Sequence, residues 1–155
     1  MPDDGVMQPG YRLSTDRADL DRERVHRWLS TDAYWALGRA REVQDAAIDG
    51  SRNYGVYDEA TGEQVAYARV VTDGATFAWL CDVYVDPAAR GGGLGVDLVE
   101  GVIADLDPLG IRRTMLATAD AHGLYAKAEF EPLADPGRWM LRTNPMIVAD
   151  PSLSS

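Results

Sequence analysis

The stretch 83–103 joins a strand-like run to a glycine-rich turn and then to an apolar pattern of helical period. The strand-like run is rich in valine and ends at Asp86 and Pro87, and Arg90 follows. The glycines of the turn are Gly91, Gly92, Gly93 and Gly95. The first turn of a helix leaves backbone N–H groups unpaired and carries positive dipole charge, so phosphates bind there. The stretch therefore predicts a strand, an anion-binding turn and a helix.

Two well-known phosphate loops can be compared with this turn. A Walker loop requires a lysine after its last glycine, and no lysine follows here, which excludes it. The dinucleotide pattern Gly-x-Gly-x-x-Gly fits Gly91 and Gly93 but meets Val96 where the third glycine should stand. A nucleotide-binding Rossmann-type domain is thus a weak alternative that the loop alone leaves open.

Composition narrows the class of protein further. A chain of 155 residues with 46% hydrophobic and 26% charged residues is expected to form one globular domain. A net charge of −10 argues against nucleic acid, and it either favours cationic acceptors or only maintains solubility. One cysteine and two histidines predict no metal site. No long apolar run predicts a membrane span, and the acidic N-terminus does not resemble a signal peptide, so we expect a cytoplasmic protein.

The periodicity predicts an α+β fold in which a mixed antiparallel and parallel sheet is flanked by helices. Residues 1–10 are expected to be a disordered lead, 11–143 one domain, and 144–155 a loose tail. Strands are predicted over 11–13, 53–57, 64–72, 76–85, 113–118, 130–133 and 139–143, and helices over 20–29, 41–48, 94–107 and around Tyr125. In strand 76–85, simple alternation places Phe77, Trp79, Cys81, Val83 and Val85 on one face and Ala78, Leu80, Asp82 and Tyr84 on the other.

The spacing Arg90-x-x-Gly93-x-Gly95 after a valine-rich strand resembles the acyl-CoA-binding signature of the GNAT superfamily of N-acyltransferases. A second stretch, 124–130, resembles the later family signature, in which a tyrosine precedes a glycine and a phenylalanine at the end of a short helix. The order of elements over 11–143 is also similar. Together these features identify the chain as a member of that superfamily.

The resemblance implies transfer of an acetyl group from acetyl-CoA to a primary amine of a small molecule or peptide by direct attack. It implies that Tyr125 donates a proton to the departing thiolate and that the amide of Val83 stabilises the oxyanion. The cofactor-binding residues that it implies are Cys81, Val83, Tyr84, Val85, Arg90, Gly91, Gly92, Gly93, Leu94, Gly95 and Val96. A catalytically silent acyl-CoA-binding sensor of the same fold is the alternative, and a homodimer is the expected assembly.

Other roles rest on position alone, each with a structural alternative. Asp82 is the first candidate for the general base or else a structural ion pair, and Glu42, Glu63 and Asp120 are further candidates. Tyr125 could instead be a core aromatic, and His122 is a proton relay or a histidine near a helix cap. Cys81 is expected to be an inert thiol. The tentative acceptor wall, or else core, is Trp28, Tyr34, Trp35 and Trp79. Glu129 stands where the family has glycine, so a helix end with positive φ would cost about 1 kcal/mol there.

Overall fold

The structure is a computed structural model that describes residues 7–147. Five strands form one sheet in the order β1-β2-β3-β4-β5, in which β1 to β4 are antiparallel and β5 is parallel to β4. The strands are β1 Tyr11–Ser14, β2 Arg52–Asp58, β3 Gln64–Thr72, β4 Ala78–Val85 and β5 Thr114–Met115. The helices are α1 Arg22–Asp32, α2 Arg41–Asp49, α3 Leu94–Leu106 and α4 His122–Ala126. The predicted mixed sheet flanked by helices is confirmed.

The two faces of the sheet are covered by different helices. On one face α3 lays Leu98, Val99 and Val102 against alanines and valines of β2 and β3. On the other face α1 packs Val25, Trp28 and Leu29 around two tyrosines of the sheet. Burial of these apolar stripes supplies the main stabilisation of the three layers. Among residues 7–147, no helix has the length and apolar character needed to cross a bilayer.

The simple alternation that we predicted for β4 is wrong, because a bulge interrupts the strand at Asp82. Tyr84 pairs with Tyr67, but Cys81 pairs with Arg69, so β4 uses one more residue than β3 across this interval. Asp82 adopts a φ of 53°, in the left-handed region. An extra residue in one strand changes which face the following side chains occupy. Consequently Ala78 and Leu80 lie in the α3 cluster, whereas Tyr84 lies in the α1 cluster.

The C-terminal part of the sheet is smaller than predicted. β5 covers only two residues of the predicted strand 113–118, and the predicted strands 130–133 and 139–143 are not formed within the described part of the chain. A strand needs a neighbouring strand for its backbone hydrogen bonds, and these mostly exposed residues pair with none in the described part of the chain, with Met140 97% exposed. The turn expected at Pro136 and Gly137 is present as a single 3-10 turn.

The predicted lead and tail fall partly outside the described residues, since 1–6 and 148–155 are not described. Residues 7–10 of the lead make defined contacts. Met7 packs against the α3 cluster, and Tyr11 N–H donates to the carbonyl of Gln8. The N-terminal residues that the structure describes are therefore held against the domain.

Candidate active site

The sheet opens between β4 and β5, and a cavity of about 660 Å³ occupies the opening. The two parallel strands pair only at Ala78–Thr114 and Trp79–Met115. From Leu80 onward the β5 side of β4 has no strand partner in the described part of the chain. Free backbone groups along an open edge can bond an extended ligand, much as another strand would. The cavity brings together most of the predicted cofactor residues, which are Cys81, Val83, Tyr84, Val85, Arg90, Gly91, Gly93, Leu94 and Gly95.

The glycine turn has the geometry of an anion site. Gly91 and Gly93 take φ values of 92° and 88°, which glycine adopts without strain. A Cβ at Gly91 or Gly92 would meet no atom within 4 Å, so the outer side of the loop is open. The first backbone bond of α3 runs from Asp97 N–H to the carbonyl of Gly93. The amides at the start of α3 precede that bond, so they are available to an anion at this helix end.

Gln8 fixes the glycine turn from outside the sequence motif. Its Nε2 donates to the carbonyl of Gly92 and to Oδ2 of Asp97, each at 2.9 Å. Its backbone N–H donates to the same carboxylate at 3.3 Å. Sequence reasoning missed this residue, because it precedes the loop by 84 positions and its own neighbours carry no pattern.

Arg90 lies beside the turn in a network that includes Tyr84 of β4 and Asp32 at the end of α1. Its Nε donates to the carbonyl of Val85 at 2.8 Å, and its guanidinium carbon lies 5.1 Å from the centre of the Tyr84 ring. Its Nη2 is 3.6 Å from Oδ2 of Asp32, which also accepts a hydrogen bond from the Tyr84 hydroxyl at 2.5 Å. Half of the Arg90 side chain remains exposed, so it can also reach an anion on the loop.

Tyr125, on α4, lines the same cavity as the open edge of β4. Burial is the main cause that raises the pKa of its phenol to about 12, and Tyr34 and Asp120 raise it further. The phenol therefore stays protonated near neutral pH. Its hydroxyl makes no hydrogen bond to another described residue, so the proton is free for a ligand. Its ring also packs edge-on against Phe130, with centroids 6.0 Å apart.

His122 is the first residue of α4, and Glu129 lies in the turn that follows the helix. His122 is exposed, is absent from the cavity lining and provides no side-chain cap for the helix. Glu129 adopts a φ of 70°, so the left-handed geometry considered for this position is present with a side chain that carries a Cβ. Neither residue lines the cavity. Both belong to the segment that carries Tyr125.

Asp82 is held in two ion pairs. Its Oδ2 accepts from Arg39 Nη1 and Arg69 Nε, both at 2.8 Å, and its Oδ1 accepts from Trp35 Nε1 at 2.9 Å. Burial alone would raise the pKa of this carboxyl, but the charges and hydrogen bonds of the two arginines hold it below its usual range. A carboxylate in this setting is a poor proton acceptor. The geometry favours the ion-pair interpretation over the role of general base.

The remaining candidate bases lie in different surroundings. Asp120 lines the cavity near Tyr125. Glu63 pairs with Arg24 at 2.7 Å, and Glu42 lies in the first turn of α2, and neither lines the cavity. Burial raises the pKa of the Cys81 thiol to about 11, so this half-buried thiol stays neutral. Among residues 7–147, no cluster of three or more histidine, cysteine or acidic side chains is arranged to hold a metal.

The aromatic residues divide into wall and core. Tyr34, Trp35 and Trp79 line the cavity, whereas Trp28 is 8% exposed and stacks on Tyr84 with centroids 5.4 Å apart. The Tyr34 hydroxyl accepts a hydrogen bond from the backbone N–H of Ala119 at 3.0 Å. This bond joins the segment between α1 and α2 to the loop before α4. The predicted aromatic wall is thus present without Trp28, which belongs to the core.

Comparisons with known proteins agree with this geometry. The family model described as the acetyltransferase (GNAT) family matches residues 22–130. A protein of Gibberella zeae assigned as an acetyltransferase is 32% identical over 137 residues, which cover 76% of each chain. A crystal structure from Xanthomonas campestris pv. campestris, assigned to the GNAT family, is 42% identical with a TM-score of 0.83 and covers 96% of this chain and all of its own. A Clostridium acetobutylicum acetyltransferase solved with acetyl-CoA shares the fold at 14% identity and a TM-score of 0.64, covering 88% of this chain and 96% of its own.

Proposed function

The chain belongs to the GNAT acetyltransferase family, and from that premise we propose that it transfers an acetyl group from acetyl-CoA to a primary amine of a small molecule or peptide. One observation carries the proposal. A single cavity is lined by the glycine turn, by the open edge of β4 and by Tyr125. To bind and cleave a thioester that carries phosphates, a protein needs an anion site for the phosphates, an extended backbone along the acyl-carrying arm and a proton donor for the leaving thiolate.

The residues of the glycine turn would hold the pyrophosphate of acetyl-CoA. The amides of Leu94, Gly95 and Val96 precede the first helical bond of α3, and Arg90 adds a guanidinium beside them. Gly91, Gly92 and Gly93 allow close approach because no Cβ obstructs the loop. The backbone of β4 from Cys81 to Val85 would then bond the pantetheine arm along the unpaired edge.

The reaction needs one bond formed and one broken. The neutral amine attacks the thioester carbonyl, the carbon–nitrogen bond forms, and the amide of Val83 donates to the developing oxyanion. The carbon–sulfur bond then breaks, and Tyr125 gives its proton to the leaving thiolate. The raised pKa of Tyr125 keeps that proton in place until the thiolate forms. Both Asp82 and Asp120 line the cavity, but Asp82 is held in two ion pairs and Asp120 forms none in the described part of the chain, so Asp120 replaces Asp82 as the candidate that accepts the amine proton.

Turnover with a panel of amines tests this function. We expect release of free CoA thiol with at least one amine and a large loss of kcat in Tyr125→Phe, while acetyl-CoA still binds that variant. Tyr11→Phe is the control, because this tyrosine lies on β1 and is absent from the cavity lining. Binding of acetyl-CoA without turnover across the panel would favour the sensor instead.

A homodimer is the assembly that we propose. β5 is an edge strand, and the segment after α4 carries exposed apolar side chains, with Met140 and Leu141 97% and 90% exposed. Within residues 7–147, each copy thus has a sheet edge without a further strand and an exposed apolar segment, and a second copy can cover both reciprocally. Sedimentation should show a dimer that dissociates in the Met140→Asp, Leu141→Asp double variant, and a monomeric parent would contradict it.

The cytoplasmic location stays a prediction.

A further inference from the structure

We propose that the amine acceptor carries a carboxylate a few bonds from its amino group, and that Arg39 and Arg69 bind this carboxylate. The inference rests on the proposed function for the amine, but its evidence is a separate cluster of charged side chains in the cavity wall. Both arginines line the cavity together with Trp35 and Trp79. A small amino acid or a similar amino carboxylate is the class of acceptor that fits.

The cluster has one positive charge more than its own carboxylate can neutralise. Arg39 and Arg69 both bond the same oxygen of Asp82, and within residues 7–147 neither forms an ion pair with any other acid. The other oxygen of Asp82 is taken by the indole of Trp35. The remaining acids of the cavity are Asp32, which lies against Arg90, and Asp120, in the loop before α4. A single carboxylate would balance the surplus charge, whereas a phosphate monoester would exceed it.

Donor groups remain for that carboxylate. Arg39 uses Nη1 for Gln44 and Asp82, and Arg69 uses Nε for Asp82 and Nη1 for Ser51. The Nη2 groups of both arginines make no hydrogen bond to a described residue. They are also not among the fully buried atoms without a partner, so they keep some exposed surface, and both arginines line the cavity. Guanidinium groups with free N–H donors bind carboxylates in a well-defined planar geometry.

The cluster lies close to the assigned oxyanion amide along the sheet. Arg69 pairs in register with Cys81, and Asp82 immediately precedes Val83, whose amide we assign to the oxyanion. Neighbouring residues of a strand are about 3.3 Å apart, so the backbone that carries Arg69 and Asp82 lies within one or two residues of the assigned oxyanion amide. A compact acceptor, in which only a few bonds separate the amine from the carboxylate, suits this proximity.

The arginines are held in place before any ligand binds. The carbonyl of Arg39 lies 2.7 Å from Nε2 of His26, which ties it to α1. Arg69 is within β3, and its side chain is only 13% exposed. Because these two side chains are already ordered in the folded protein, they lose little conformational entropy when a small anion binds, and this favours binding.

Matched acceptors test the inference. Amino acids are compared with their carboxamides, and each kcat/KM is corrected for the fraction of neutral amine. We expect at least tenfold preference for the free carboxylate, and Arg39→Gln should bring the ratio towards one. Arg27→Gln, an exposed arginine of α1, is the control and should keep the preference. A merely structural role of Arg39 would lower both rates together and leave the ratio unchanged. An equal or reversed ratio in the parent protein would overturn the proposal.

A binding measurement separates this inference from the function that it rests on. N-acetyl amino acids and their carboxamides are tested for protection against thermal unfolding. We expect protection from the free carboxylate and none from the carboxamide, with the difference lost in Arg39→Gln. If no amine is acetylated, the proposed function fails, but the binding result still decides the role of the arginines. Equal protection, or none from either compound, would overturn it.

Discussion

The Nη2 atom of Arg90 lies 3.6 Å from Oδ2 of Asp32, so the guanidinium beside the glycine turn already has an anionic neighbour within the chain. Both side chains are about half exposed, and Asp32 also accepts from the Tyr84 hydroxyl. An incoming pyrophosphate would share Arg90 with this carboxylate and would be repelled by it. The two residues should therefore have opposite effects on CoA affinity.

We expect Arg90→Ala to raise the Kd for CoA roughly tenfold, because a charge-assisted hydrogen bond is lost. Asp32→Asn should lower the Kd about threefold, since an exposed competing charge is removed. Isothermal titration at two salt concentrations measures both, and the two effects should shrink as salt rises. A weaker affinity in Asp32→Asn would contradict this view of the pair.

Gln8→Ala should raise the KM for acetyl-CoA severalfold with little change in kcat. The side chain bonds Gly92 and Asp97 and so orders the turn, but it lies outside the cavity where acyl transfer would occur. Initial rates at saturating amine separate the two constants. Glu59→Ala, an exposed change on the β2–β3 turn, is the control. A fall in kcat at unchanged KM would indicate that Gln8 acts on the chemical step instead.

Asp82→Asn should destabilise the fold by about 3 kcal/mol at neutral pH, because it leaves the guanidinium groups of Arg39 and Arg69, whose side chains are 18% and 13% exposed, without their counter-ion. The pKa of Asp82 lies below its ordinary value of 3.8 in the folded state, so the ion pairs stabilise the protein fully above that value. As pH falls through the lower folded pKa, this stabilisation is lost.

Urea unfolding from about pH 7 to about pH 3 measures the dependence on Asp82. The difference between parent and Asp82→Asn should be largest near neutral pH and decrease only below about pH 4. Asp107→Asn, which has no ion pair in the described part of the chain, is the control and should show little difference at any pH. A gap that stays constant on acidification would mean that Asp82 stabilises the bulge without its charge.

The pKa of Tyr125, raised to about 12, predicts the alkaline side of the rate profile. As the proposed proton donor, the phenol stays protonated well above neutral pH, so kcat should not fall between about pH 7 and about pH 10. An acceptor amine becomes more neutral over that range, so the rate should rise to a plateau. A descending limb below pH 10 that disappears in Tyr125→Phe would show that the phenol titrates earlier.

Glu129→Gly should stabilise the protein by about 1 kcal/mol, because Glu129 adopts a φ of 70° that glycine takes without steric cost. Glu131→Gly is the matched control, as this exposed glutamate does not have a positive φ. It should leave stability unchanged or lower it slightly, since glycine adds entropy to the unfolded chain. Equal effects of the two changes would argue against strain at Glu129.

Local patterns were sufficient for much of this protein. The strand, the glycine turn and the helix of 83–103 follow from side-chain period, the conformational freedom of glycine and unpaired amides at a helix start. The predicted bounds of β3 and α2 were also close to the observed ones, because turn residues or a cap delimit each element locally. A signature around Tyr125 then indicated the family before any tertiary contact was known.

Tertiary structure alone decided the chemistry around Asp82. Its bulge depends on the register with β3, which shifts the faces of β4 and brings Arg39, Arg69 and Trp35 to one carboxylate. These residues are far apart in the chain, and no spacing rule connects them. The same holds for Gln8 at the glycine turn. Periodicity reports local backbone preference, whereas the pKa of a side chain and the charge of a cavity depend on which distant residues burial brings together.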